Sequence, residues 1–178
     1  IAPERLVVTP QARVVVTEYV LGSALEQLLY PRERYWVQLR VALPRLAGLA
    51  RFDHLADVAQ IGVVALSVFL GRRLKDDEFP GRIAEIVSTT SARSASGEEE
   101  PLAPALKIWL ERALQLDPRQ SFPSAVEARV ALDRAVDESS YDSSPAHLET
   151  FLARVEGRPR PASAPRRNHR ASCRAAVP

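Results

Sequence analysis

Two charged side chains near the start of the chain, Arg5 and Glu18, are of the types that could bind an ion. They lie 13 positions apart, on either side of a short turn signal. The Glu18 carboxylate could hold a metal ion, and the Arg5 guanidinium could bind an anion. A single carboxylate is a poor metal site and an arginine is ordinarily solvated or paired, so we favour an ion pair between the two.

A predicted β-hairpin positions these two residues. Residues 1–8 and 13–20 form two runs with apolar β-type character, and residues 9–12 separate them with Pro10 in a place that suits a type I turn. Val20 prefers extended backbone, so residues 14–20 are expected to form one continuous strand. The hairpin therefore brings Glu18 beside Arg5.

This hairpin resembles the segment of protein kinases that carries the catalytic loop, D-L-K-P-E-N, and the metal-binding motif D-F-G. The spacing between Arg5 and Glu18 equals the family's spacing between that Asn and the Asp of D-F-G. The resemblance puts the catalytic-base Asp immediately before Ile1. The positions that match the family's chemical residues but carry other side chains are Ala2, Arg5, Glu18, Tyr19 and Val20.

These substitutions imply a pseudokinase. Ala2 stands where a Lys neutralises the transferring phosphoryl group, and Arg5 stands where an Asn binds magnesium, although a guanidinium has no acceptor atom. Glu18 and Tyr19 replace the Asp and Phe of D-F-G, and Val20 replaces its flexible Gly. Because phosphoryl transfer depends on positioning and charge neutralisation, we expect no enzyme activity, no cofactor and no metal ion.

Kinase-like spacing continues downstream. Pro44 falls in the place of the A-P-E motif. Asp57 lies 13 residues later and begins a stretch that matches the D-x-x-S-x-G helix, with Gly62 as its glycine, so these three residues are expected to be structural anchors. The family joins the Glu of A-P-E to a later Arg in a buried ion pair, and the corresponding residues here are Arg45 and Ser121. Loss of both partners is nearly neutral, whereas loss of one is costly.

The expected fold class is mostly α, a kinase-like large (C-terminal) lobe in which a short β-hairpin precedes a helical bundle. The small lobe is absent from this sequence and would lie upstream. Residues 1–138 are assigned to the partial lobe, 139–157 to a linker with a short amphipathic helix, and 158–178 to a disordered basic tail. Helices are predicted over residues 31–40, 53–70, 80–88, 103–116, 123–138 and 146–156.

Tyr35 and Trp36 are candidates for a docking patch, because arginines flank them at positions 32, 34 and 40. The same two rings could instead anchor the segment onto the lobe, and the sequence favours neither alternative. The helix over residues 57–70 is apolar nearly all round, so we expect one of its faces to need a cover from outside this chain.

Composition adds limits. The single cysteine, Cys173, rules out an internal disulfide bond, and the three histidines have no metal-ligand spacing. Six of the 24 basic residues lie after Gly157, which leaves 18 basic against 22 acidic residues in the body. The tail is favoured as a solvated linker, with electrostatic binding to nucleic acid or an anionic membrane as the weaker alternative.

The predicted function is a catalytically inactive kinase-like interaction or regulatory module. It resembles bacterial serine/threonine kinase-like proteins, and it is expected to be a cytoplasmic fragment of a longer protein. Its expected partner is a protein, including the upstream part of its own chain, with no small-molecule substrate. Two alternatives stay open: a piece of a serine/threonine kinase with weak ATP-dependent phosphotransfer, and an electrostatic binding module that acts through the Arg-rich tail.

Overall fold

The computed structural model describes most of the chain before the tail, and the described residues are 1–9, 11–17, 21–44, 51–93, 98–139, 141 and 145–157. Within these ranges the protein is mostly helical, with seven α-helices and two small antiparallel hairpins. The mostly-α class predicted from the sequence is therefore confirmed.

The predicted hairpin at the start of the chain is present. Strand β1 (Leu6–Val8) pairs with strand β2 (Val14–Val16), and the Thr9 amide donates to the Arg13 carbonyl at 2.8 Å to close the turn. A 3₁₀ turn (Pro3–Arg5) leads into β1. The second strand ends at Val16, earlier than the predicted continuous strand, and residues 18–20 lie outside the described residues.

Three helices follow the hairpin: α1 (Gly22–Glu26), α2 (Arg32–Leu39) and α3 (His54–Leu70). The short α1 was not predicted. The predicted start of α3 is confirmed within one residue, because the Asp53 carboxylate caps the helix by accepting from the amides of Leu55 and Ala56. Gly71 ends α3 with a φ of +62°, a left-handed conformation that glycine adopts without strain.

The second half contains α4 (Ile83–Thr89), a hairpin of β3 (Ser91–Arg93) with β4 (Glu99–Pro101), and the helices α5 (Pro104–Ala113), α6 (Ala125–Glu138) and α7 (Pro145–Glu156). Two expectations were wrong here. The fourth helix begins three residues later than predicted, because residues 76–82 form turns. Between the predicted helices over residues 80–88 and 103–116, where no strand was predicted, β3 pairs with β4.

The main core lies where α3, α5 and α6 pack together. Leu66 and Leu110 are fully buried in it, and the Trp109 indole donates to the Ala128 carbonyl at 2.8 Å, which ties α5 to α6. A Cβ atom at Gly62 would lie 3.1 Å from the Leu114 side chain, so glycine allows α3 to approach the end of α5 closely.

Candidate functional site

The turn at residues 1–5 packs on the first half of α3. Ala2 is 1% exposed, so a methyl group fills the position where the resemblance puts the phosphate-neutralising Lys. The Ile1 nitrogen donates to the side-chain oxygen of the buried Gln60 at 2.6 Å. These two contacts hold the turn against α3 and leave no charged side chain at position 2.

Arg5 is held by the body of the protein. Its Nη2 donates to the Leu39 carbonyl at the end of α2, at 3.0 Å. Its own carbonyl accepts from both the amide and the hydroxyl of Thr17, at 2.8 and 3.1 Å. The guanidinium therefore joins the hairpin to α2 and presents hydrogen-bond donors where the family has an oxygen ligand for magnesium.

The predicted partner of Arg5 in the sequence, Glu18, lies outside the described residues, as do Tyr19 and Val20. The ion pair between Arg5 and Glu18 therefore stays a prediction. Of the five degenerate positions, Ala2 and Arg5 are the ones whose surroundings the structure describes.

Asp57, a predicted anchor, lies in the first turn of α3, where its amide donates to the Asp53 carbonyl at 3.1 Å. Gln60, less than one turn further along the same helix, is the residue whose side chain bonds to the turn.

The other two anchors lie away from the turn. Gly62 is buried against Leu114, as described above, and Pro44 is buried with its carbonyl accepting from Arg32 at 2.5 Å. Of the two positions that match the family's buried ion pair, Arg45 lies outside the described residues. Ser121 is half-buried, and its hydroxyl donates to the Pro118 carbonyl at 2.9 Å.

Tyr35 and Trp36 belong to the interior. Tyr35 is 0% exposed, and its hydroxyl donates to the Leu25 carbonyl at 2.7 Å. Trp36 is 3% exposed, and its indole donates to the Asp76 carbonyl at 3.1 Å. The expectation of a docking patch is corrected: both rings are buried and anchor α2 onto the rest of the protein, where main-chain carbonyls accept from their polar atoms.

The loop between α3 and α4, residues 71–82, has a polar cluster that the sequence reasoning missed. Both guanidinium nitrogens Nη1 and Nη2 of Arg72 donate to the Glu78 carboxylate at 2.8 Å, and the Lys75 amide donates to it at 2.7 Å. The Arg72 hydrogen bonds lower the pKa of Glu78 to about 2, against the opposing effect of burial, with help from the Lys75 amide. The run of charged residues that follows Gly71 was the sequence signal that could have indicated this cluster.

The same loop is bound to α2. Arg40, which ends α2, forms an ion pair with Asp76, and its guanidinium lies 5.1 Å from the centre of the Trp36 ring. Phe79 stacks on Trp36 with 4.8 Å between ring centres. The loop and α2 are thus one bonded unit, and this unit supports the carbonyl of Leu39 that accepts from Arg5.

Two observations bear on whether this region could bind a metal ion or a small molecule. Within the described ranges, no group of three or more His, Cys, Asp and Glu side chains could hold a metal ion. A cavity of about 280 Å³ beside α2 has apolar walls from Leu43, Phe79 and Pro80, with Arg32 and Glu33 as its charged lining.

Comparison of the chain with protein-family models, curated proteins and solved structures finds no match in any of the three. Over the described residues, every helix is too short or too polar to cross a lipid bilayer.

Proposed function

We propose that the chain is a catalytically inactive, kinase-like large lobe that serves as an interaction or regulatory module. Two features support the proposal: a hairpin followed by helices in the order that the resemblance implies, and Gly62 packed closely against α5. The resemblance itself comes from the sequence motifs.

The single observation that carries the inactive part of the proposal is the environment of Arg5. A cation that is bonded to the Leu39 carbonyl lies where an oxygen ligand for magnesium is required. Its positive charge repels a divalent cation, and the buried Ala2 beside it supplies no charge for a phosphate. The positive charge of Arg5 and the lack of charge at Ala2 both disfavour binding of the metal–nucleotide complex that phosphoryl transfer uses.

The interaction part of the proposal rests on the outer face of α3. Ile61 is 38% exposed and Val68 is 72% exposed, and the half-buried Val64 and Ala65 lie between them. These positions have the i, i+3, i+4, i+7 spacing of a single helix face, which we call the α3 stripe. An apolar stripe of this kind suits the apolar face of another helix, from a protein partner or from the upstream part of the same protein.

A nucleotide titration of the full 178-residue chain tests the inactive part. Thermal unfolding is followed with ATP alone, magnesium alone, and both. A ligand at 100 times its dissociation constant stabilises a protein by about 2.7 kcal/mol, which is easily seen as a rise in Tm. We expect the Tm to stay unchanged in all three conditions.

A rise in Tm that requires ATP and magnesium together would contradict the proposal. Two matched variants would then locate the site. Loss of the rise in Glu18→Gln, with the rise kept in Glu4→Gln, would assign metal binding to the D-F-G position and support the weak phosphotransferase alternative. Glu4 is a suitable control because its carboxylate pairs with Arg73 at 3.1 Å, so it serves a structural contact.

A further inference from the structure

The residue that ends α2, Arg40, has one buried hydrogen-bond donor that lacks an acceptor. Its Nη2 atom pairs with Asp76, and its guanidinium lies over the Trp36 ring. The other terminal nitrogen, Nη1, is buried and makes no hydrogen bond to any other described residue. Because a buried donor without an acceptor is costly, such donors are ordinarily bonded to the protein or to an ordered water molecule.

Arg40 also lines a small cavity under the turn at residues 1–5, which we call the turn cavity. Its volume is about 10 Å³. This is about the least volume that holds one water molecule, and it is too small for a phosphate or an organic molecule. The turn, α2, α3 and the α3–α4 loop each contribute two lining residues: Pro3, Glu4, Trp36, Arg40, Val63, Ser67, Arg73 and Leu74.

Two residues of this lining carry oxygen atoms that can accept a hydrogen bond. The Glu4 carboxylate pairs with Arg73 at 3.1 Å through one oxygen, and an ionised carboxylate has further lone pairs. The Ser67 hydroxyl donates to the Val63 carbonyl at 2.8 Å, so its oxygen can still accept. Together with Arg40 Nη1 these groups make three polar partners, the usual number for an internal water molecule.

The charges around the turn cavity favour water over an empty space. Arg40 and Glu4 both line it, yet over the described residues they form no direct ion pair with each other. Two opposite charges that share a cavity without direct contact have the arrangement that a bridging water molecule joins. Cavities that stay dry are lined by apolar groups, whereas this one has a cation, an anion and a hydroxyl.

We propose that one ordered water molecule occupies the turn cavity, where it accepts from Arg40 Nη1 and donates to the Glu4 carboxylate and the Ser67 hydroxyl. The water molecule joins the turn at residues 1–5 to the end of α2 and to the second half of α3. It thus adds to the direct hydrogen bonds that hold this turn. The inference does not depend on the kinase-like proposal, because it uses only the cavity and the groups that line it.

A crystal structure of the full chain, at a resolution that shows single water molecules, is the direct test. We expect one peak of electron density within about 2.7–3.2 Å of Arg40 Nη1 and of an oxygen of Glu4 or Ser67. A turn cavity without density would overturn the proposal. So would a direct hydrogen bond from Nη1 to a protein atom, or density that only a heavier ion explains.

Oxygen-17 relaxation dispersion of water counts long-lived internal water molecules in solution and gives a second test. Ser67→Val removes the hydroxyl and adds a methyl group to the turn cavity, so it should lower the count by one relative to wild type. Ser139→Val is the matched control, because the Ser139 hydroxyl also donates to the carbonyl four residues earlier, at 2.7 Å, but does not line the cavity. An equal count in wild type and a folded Ser67→Val would overturn the proposal, and the wild-type crystal structure decides it if Ser67→Val does not fold.

Variants of Glu4 test the assigned acceptor. Glu4→Gln keeps a side-chain oxygen and should keep the water molecule. Glu4→Leu has no acceptor, so the residence time of the water molecule should fall about tenfold, as expected when one hydrogen bond is lost. Arg73→Met is the control, because it breaks the Glu4–Arg73 ion pair but leaves the carboxylate in place. An unchanged residence time in Glu4→Leu would overturn the assignment of Glu4 as a partner.

Discussion

The β1–β2 hairpin exposes apolar side chains, whereas the α3–α4 loop buries a charged one. The hairpin strands are wholly aliphatic, yet Val7 is 50% exposed and Val14 is 57% exposed. The α3–α4 loop is dense in charge, yet Glu78 is 5% exposed and fully hydrogen-bonded. In this protein, a residue's burial follows from the partners that surround it, and its hydropathy alone does not decide it.

This difference separates two roles. The α3–α4 loop is bonded to α2 through Asp76 and Phe79, so these contacts stabilise the folded chain without any partner. The turn that precedes the hairpin contacts the rest of the protein through Ala2, Glu4 and Arg5, and the valines of the hairpin present apolar surface to the outside. Such exposed apolar surface agrees with the proposed interaction module.

The largest expected contrast is between a ring under the loop and a valine on the hairpin. Trp36→Ala should lower the free energy of unfolding by about 3–5 kcal/mol, because it removes a buried ring and leaves the Asp76 carbonyl without its donor. Val15→Ala, at a side chain that is 46% exposed, should change it by about 0.5 kcal/mol or less. Urea unfolding, compared at equal m-values, measures both.

Similar losses from the two variants would erase the contrast. They would show that the hairpin is as tightly packed as the interior in solution, and the exposed valines would then need a cover that forms in the isolated chain.

A second contrast concerns the buried carboxylate of the loop. Glu78→Gln should cost on the order of 1–2 kcal/mol at pH 7, since solvent reaches the half-exposed Arg72 and screens the pair. The pKa of Glu78 is lowered from its usual 4.5 to about 2 in the folded protein. Its stabilising effect is therefore present above about pH 4.5 and is lost as the pH falls through about 2.

The measurement is unfolding at a series of pH values. The difference between wild type and Glu78→Gln should be constant near neutral pH and shrink as the pH falls from 4.5 towards 2. Glu85→Gln is the control, because the Glu85 side chain is 63% exposed in its pair with Arg82 and should show almost no difference. A gap that grows on acidification would mean that the assigned direction of the pKa change is wrong.

The smallest effect on stability is expected at the α3 stripe. Val68→Glu should change the free energy of unfolding by about 0.5 kcal/mol or less, since Val68 is 72% exposed. It should lower self-association of the chain, because a charge interrupts the apolar contact. Sedimentation velocity over a concentration series, with Val126→Glu as the control, measures this. Equal behaviour of the two variants would mean that the stripe is not an interaction surface.

The sequence predicted the regular elements well where local signals were strong. The β1–β2 hairpin followed from its β-branched runs around a turn, and α3 followed from its apolar run between Asp53 and Gly71. The short α1 and the β3–β4 hairpin were missed, because their residues have weak local propensity and are held by tertiary contacts. The start of α4 was misplaced because Pro80 begins no helix here.

The candidate site was predictable in part. The choice between docking and anchoring for Tyr35 and Trp36 could not be made from the sequence, because it depends on whether the fold brings the Leu25 and Asp76 carbonyls to the two side chains. The Arg72–Glu78 pair was missed for a different reason: it is local, and side-chain geometry within a charged run decides which charges meet. The bond from Arg5 to the Leu39 carbonyl likewise required the fold.

The central claim is that this lobe is kinase-like with its chemistry lost, and a double-mutant cycle at positions 45 and 121 tests it most directly. The resemblance puts the two ends of the family's buried ion pair at Arg45 and Ser121. Arg45→Glu alone and Ser121→Arg alone should each destabilise the chain, and the double variant should recover much of both losses. We predict a coupling free energy on the order of 1–3 kcal/mol from urea unfolding. Simple additivity would mean that the two positions do not meet, and it would contradict the kinase-like account.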